Sequence, residues 1–75
     1  MKFDAEVDAQ GLNCPLPILR AKKALSGMAS GEVLRVIATD PSANRDFHAF
    51  AKQTGNMVLE VQELPNALAF FIRKR

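Results

Sequence analysis

The chain has 75 residues, 48% of them apolar, and a formal charge of +2, which suits one small domain with a single layer packed over a sheet. Ten basic against eight acidic side chains is no nucleic-acid signature in itself, and one cysteine excludes an internal disulfide. No apolar run approaches a membrane span and the first ten residues alternate charged with apolar ones, unlike a secretory leader, so a single cytoplasmic domain over residues 1–75 is expected.

Residues 3 to 9 alternate Phe3, Ala5, Val7 and Ala9 with Asp4, Glu6 and Asp8, the period of a half-buried strand. Gln10-Gly11-Leu12-Asn13 is a turn. From Pro15 to about Met28, Ile18, Ala21, Leu25 and Met28 recur at three- and four-residue steps, one face of a helix. Gly27 and Gly31, with Ser26 and Ser30, mark its end, one of the two glycines taking a left-handed conformation.

Glu32 to Thr39 reads as a second strand, with Leu34, Val36 and Ala38 on one face. Val33 and Ile37 are also apolar, which points to a central or partly covered strand. Asp40-Pro41-Ser42 breaks the pattern, and Asp40 or Ser42 is placed to cap a second helix whose inner face is Ala43, Phe47, Phe50, Ala51 and Thr54. Gly55 closes it. Met57, Leu59 and Val61 alternate with Val58, Glu60 and Gln62 in a third strand. Pro65-Asn66 turns the chain, and Leu68, Phe70 and Ile72 line the fourth. The order βαβαββ predicts an α/β two-layer sandwich, a four-stranded mixed sheet with both helices on one face.

Cys14 carries the chemistry. It stands between the first strand and the first helix, inside Gly11-Leu12-Asn13-Cys14-Pro15-Leu16-Pro17. A lone cysteine is commonly a small buried hydrophobe. Here the strand-to-helix junction, the preceding Gly11 and the flanking prolines argue for exposure. Pro15 suits the first helical position and Pro17 the same donor-free turn. A helix start favours an anion, and Arg20, Lys22 and Lys23 follow on the helix, so a thiolate stabilised below the ordinary cysteine range is expected.

Other chemistries lack their residues. Pro17 stands where a CxxC motif needs its second thiol. Cys14 and His48 are the only soft or imidazole ligands, too few for a zinc site, and no metal or cofactor is expected. His48 adjoins the inward Phe47 and should face solvent. The four glycines form no phosphate-binding loop. A single exposed thiol can still attack a donor persulfide, take its outer sulfur and hand it on. Without a second cysteine, no internal attack discharges that sulfur.

These residues carry a family resemblance. Gly11-Leu12-x-Cys14-Pro15-x-Pro17, Gly31-Glu32, Ala38-x-Asp40-Pro41, Arg45-Asp46, Gly55 and Ile72-Arg73-Lys74 resemble the TusA/SirA/YedF family of small sulfur-carrier proteins over nearly the whole chain. The CPxP element is the specific part. The resemblance implies a persulfide on Cys14, received from a cysteine desulfurase or rhodanese-like donor. It would pass to an acceptor protein in tRNA thiolation, molybdenum-cofactor metabolism or sulfur oxidation. Asn56, where the family often has histidine, and the tight Leu64-Pro65-Asn66 turn depart from the pattern.

In the expected topology the loops after the first two strands share one sheet edge, which brings Asp40 and Arg45 near Cys14, either to shape docking or with Asp40 serving only as a cap of the second helix. Lys22 and Lys23 would meet an acidic rim on a partner. Two other readings remain open, an RNA-binding module and a regulatory interaction domain with a structural cysteine. Against RNA stand the missing GXXG loop and the placing of Phe3, Phe47, Phe50 and Phe70 on the core face, so no direct nucleic-acid or membrane partner is expected.

Overall fold

A computed structural model describes all 75 residues. The elements are β1 (Ala5–Ala9), α1 (Leu16–Ser26), β2 (Val33–Ala38), α2 (Ala43–Thr54), β3 (Met57–Leu64) and β4 (Ala67–Arg73). The sheet order is β1-β2-β4-β3, with β1 parallel to β2 and β4 antiparallel to both its neighbours. Strands β1, β2 and β3 therefore end at one edge of the sheet, where α1 and α2 begin. Strand β4 and both helices run back to the opposite edge. The fold is the two-layer α/β arrangement of a mixed sheet and two helices.

Helix α2 shows why the periodic residues decide the packing. Ala43, Phe47, Phe50 and Ala51 are buried, while His48 between them is exposed. Phe47 is fully buried and stacks on Phe70 of β4, with ring centroids 4.7 Å apart. Around that pair lie Leu25 and Ala21 from α1, Leu34 and Val36 from β2, and Ile72 from β4. Phe47 and Phe70 supply the largest apolar area of this core, each worth roughly 1.5–3 kcal/mol when removed from water. Gly55 ends α2 at φ +79°, a left-handed cap that any side chain would strain. After α1 it is Gly31, at φ +87°, that is left-handed; Gly27 lies at φ −95°.

The structure corrects the sequence expectations in four places. Strand β1 starts at Ala5, and Phe3 is outside the core. Asp4 turns the chain by exchanging two bonds with Val33, its amide donating to the Val33 carbonyl and its carboxylate accepting from the Val33 amide. Phe3 then lies 45% exposed against Phe71 on the face without helices, where the Arg35 guanidinium lies over both rings and pairs with Glu6. In β3 the register slips between Val58 and Glu60, so Val58 and Val61 both face the core beside Ile72 and Phe70. Helix α1 is shorter than its apolar stripe, from Leu16 to Ser26, with Pro15 as the N-cap instead of the first helical residue. Strand β2 stops at Ala38, before Thr39 and Asp40.

Candidate functional site

Cys14 sits on the edge where α1 and α2 begin, on the loop that leaves β1. Gly11 gives that loop its turn, at φ +80°, and its amide donates to the Thr39 hydroxyl at 2.9 Å. The Leu12 amide bonds back to Ala9, and the Leu16 amide to the Asn13 carbonyl at 2.8 Å. The Cys14–Pro15 peptide is cis. Pro15 contributes its carbonyl to the Leu19 amide as the first helical bond, and Pro17 is buried beneath the loop. A buried ring on one side and two bonded amides on the other leave the cysteine exposed on a fixed mount.

Asp40 ties this loop to the next. Its Oδ2 accepts from the Cys14 amide at 2.9 Å and from the Ser42 hydroxyl at 2.9 Å, and its Oδ1 accepts from the Ser42 amide at 3.3 Å. The Ser42 hydroxyl also lies 3.1 Å from Asp46 Oδ2. Ser42 is the N-cap of α2, but its side chain bonds no helix amide; it serves the two carboxylates instead. The Cys14 sulfur and one oxygen each of Asp40 and Asp46 lie within 4.8 Å of one another. Arg45, 81% exposed, holds the other Asp46 oxygen at 3.5 Å.

This surrounding overturns the expected ionisation. Hydrogen bonding of the thiol to Asp46 holds the Cys14 proton and raises its pKa, helped by partial desolvation and by the negative charges of Asp46 and Asp40; Arg45 opposes them. Asp46 moves the other way, lowered first by the same contact with Cys14, then by Ser42 and Arg45 against some desolvation. The helix start does favour an anion, but an aspartate already stands in the first turn of α2, facing the sulfur. Lys22 and Lys23 are exposed on the later turns of α1, and the charges that act on Cys14 are those of Asp46, Asp40 and Arg45.

Two features had no part in the sequence reading. Asp46 was visible within the Arg45-Asp46 pair without a role of its own; the Ser42-to-Asp46 step of four residues in a first helical turn is the local signal for it. Leu16 and Leu19, 46% and 52% exposed, form an apolar strip beside Cys14. Their three-residue spacing off the Ala21–Leu25 face marks them as a second, outward face.

The description "Sulfurtransferase TusA" belongs to a family model that matches residues 5–74. The chain belongs to the TusA family. The sulfur carrier protein TusA of Allochromatium vinosum is 62% identical to it over 72 residues, covering 96% of this chain and 95% of that protein. The TusA of Pseudomonas putida is 42% identical, over 96% of this chain and 90% of its own. Among solved structures, a SirA-like protein from Desulfitobacterium hafniense superposes with a TM-score of 0.79 at 28% identity, covering 93% of this chain and 95% of that one. The matched residues include the exposed Cys14 edge, and no helix is long and apolar enough to cross a membrane.

Proposed function

We propose that Cys14 is the sulfur-bearing atom of a carrier: it accepts persulfide sulfur from a cysteine desulfurase or a rhodanese-like donor and relays it to an acceptor protein. The observation that carries this reading is the single exposed thiol, fixed at the start of α1 with no second cysteine in the chain. In the loading step the Cys14 sulfur attacks the outer sulfur of the donor persulfide and a new S–S bond forms. The donor's own S–S bond breaks, and its cysteine sulfur leaves as thiolate and takes the proton that Cys14 gave up. Delivery repeats the exchange with the acceptor. Neither step needs an external oxidant.

The acidic surroundings of Cys14 suit such a carrier. At neutral pH the free thiol keeps its proton, so the unloaded sulfur is a poor nucleophile toward small molecules. A donor site that brings a cation to Asp46 and Asp40 releases the thiolate where sulfur is available. Arg45 and Asp40 then shape docking at the Cys14 edge, while Leu16 and Leu19 offer apolar area that a partner can cover. Lys22 and Lys23 extend the contact along α1. The relay belongs in a reducing compartment, the cytoplasm, where a lone thiol escapes oxidation.

The test is intact mass after incubation with a cysteine desulfurase, cysteine and pyridoxal phosphate. The wild-type chain gains one sulfur atom and Cys14→Ser gains none while keeping its far-UV dichroism. A Cys14→Ser chain that still gains sulfur ends the proposal, and one that unfolds makes the cysteine structural.

A further inference from the structure

At the edge opposite Cys14, the ends of α1 and α2 and the tail of β4 enclose a basic groove. Its first part, a cavity of about 270 Å³, has Lys22 on one wall, Lys74 and Arg75 on the other, and Leu25 and Phe50 as an apolar floor. It continues past Arg75 into a second open space of about 550 Å³ bordered by Arg73. No acidic side chain lines either part, and none of the four cations makes an ion pair. Thus four of the ten basic residues of a chain with net charge +2 converge on one place without a counterion.

The tail is held in position. The Lys74 amide and carbonyl bond Glu32 and Gly31, its ammonium donates to the Leu25 carbonyl at 2.7 Å, and the Arg75 amide donates to Asn56 at 2.9 Å. Helix α1 is eleven residues long, so this groove lies about 16 Å along the helix from the Cys14 loop. A partner seated here leaves the sulfur free.

We propose that this groove docks an acidic peptide segment of a protein partner, its carboxylates on Lys22, Arg73 and Arg75 and one apolar side chain on the floor of Leu25 and Phe50. Charge complementarity selects the sign of the occupant. Size and lining select its class. The part over Leu25 and Phe50, about 270 Å³ and open to solvent, fits one side chain, and the adjoining space of about 550 Å³ continues past Arg75, the outline of an extended segment that seats one apolar side chain. Phe50 is the only aromatic residue of the groove, which therefore lacks the row of ring faces on which successive bases stack in single-strand RNA sites. An apolar floor between cations matches a peptide that mixes carboxylates with a hydrophobic residue.

The test is fluorescence anisotropy with a labelled twelve-residue peptide in which glutamates flank two central leucines, at low and at physiological salt. The wild-type chain and Cys14→Ser bind it equally, and affinity falls as salt rises because exposed charges are screened beyond about 10 Å at 0.1 M. The double reversal Lys22→Glu/Arg75→Glu, and separately Arg73→Glu/Arg75→Glu, weaken binding tenfold or more on the scale expected for several lost charge contacts, whereas Lys2→Glu changes it by less than about threefold. Far-UV dichroism and the alkylation rate of Cys14 stay at wild-type values in all of them. A peptide with serines for its leucines binds more weakly. Equal binding by the reversal variants, tighter binding of an octauridylate than of the peptide, or no binding at low salt each overturns the proposal. None of these readouts involves sulfur transfer, so a failed docking site and a failed carrier are distinguishable.

Discussion

Asp40 is the residue on which the candidate site turns, and Asp40→Ala is the perturbation that measures it. The substitution removes one acceptor from the Cys14 amide and two from Ser42, at 2.9, 2.9 and 3.3 Å. Hydrogen bonds to a charged acceptor contribute about 1.5–3 kcal/mol each when the freed donor is left dry. Here the Cys14 amide belongs to an exposed residue and can take water, so the loss is closer to that of a helix cap, about 0.5–2 kcal/mol. Adding the two bonds to Ser42 brings the expected cost to about 1–3 kcal/mol. A 75-residue domain holds about 4–11 kcal/mol in total. With a urea slope of about 1 kcal/mol/M for so small a chain, the midpoint should fall by about 1–3 M. The chain has neither tryptophan nor tyrosine, so far-UV dichroism is the probe. Asp40→Asn keeps one neutral acceptor and should lose about half as much. Persulfide loading should slow in the same order, because the loop carrying Cys14 is no longer tied to α2. A midpoint within about 0.3 M of wild type, together with unchanged loading, would refute the idea that Asp40 fixes the site.

Asp46→Asn removes the main influence that keeps the proton on Cys14, so the midpoint of the alkylation rate against pH moves down, and Arg45→Ala moves it up. An unmoved profile in Asp46→Asn would mean the carboxylate does not act on the sulfur. Phe47→Ala empties the centre of the core and should cost about 3–5 kcal/mol, enough to leave the domain near its unfolding midpoint at 37 °C. A loss under about 1 kcal/mol in urea titration would contradict the packing described.

The parts of the molecule that could be read from the sequence are those in which one period governs. Helix α2 is one-sided, with Phe47 in and His48 out, and its burial follows the spacing residue by residue. The crossover rule alone puts Asp40 at the same edge as Cys14, since two parallel strands that feed helices must deliver their loops there. Phe3 was misread because alternation does not say where a strand stops; the Asp4–Val33 exchange does, and that depends on a residue 29 positions away. The bulge in β3 was hidden because Val58, Leu59 and Val61 are all apolar, so either register satisfies the pattern. The ionisation of Cys14 was reversed for a related reason. Helix-start chemistry is local, but the carboxylate that dominates it arrives from α2 through the tertiary fold, 32 residues further along.

Strands β1 and β3 are the two unpaired borders of the sheet, and each bears its own deterrent. Strand β1 is five residues long and carries Asp8 and the Arg35-paired Glu6, with Asp4 just before it, so another copy sliding alongside would meet a border rich in charge. Strand β3 is kinked by its register slip, which disturbs the row of amides and carbonyls a neighbour would have to match. Flat, unpaired sheet borders fuse into filaments as a chain is concentrated. The charged fringe on one side and the kink on the other let this chain be crowded without becoming sticky, and neutralising Glu6 and Asp8 together would turn the β1 border into a seed for self-assembly.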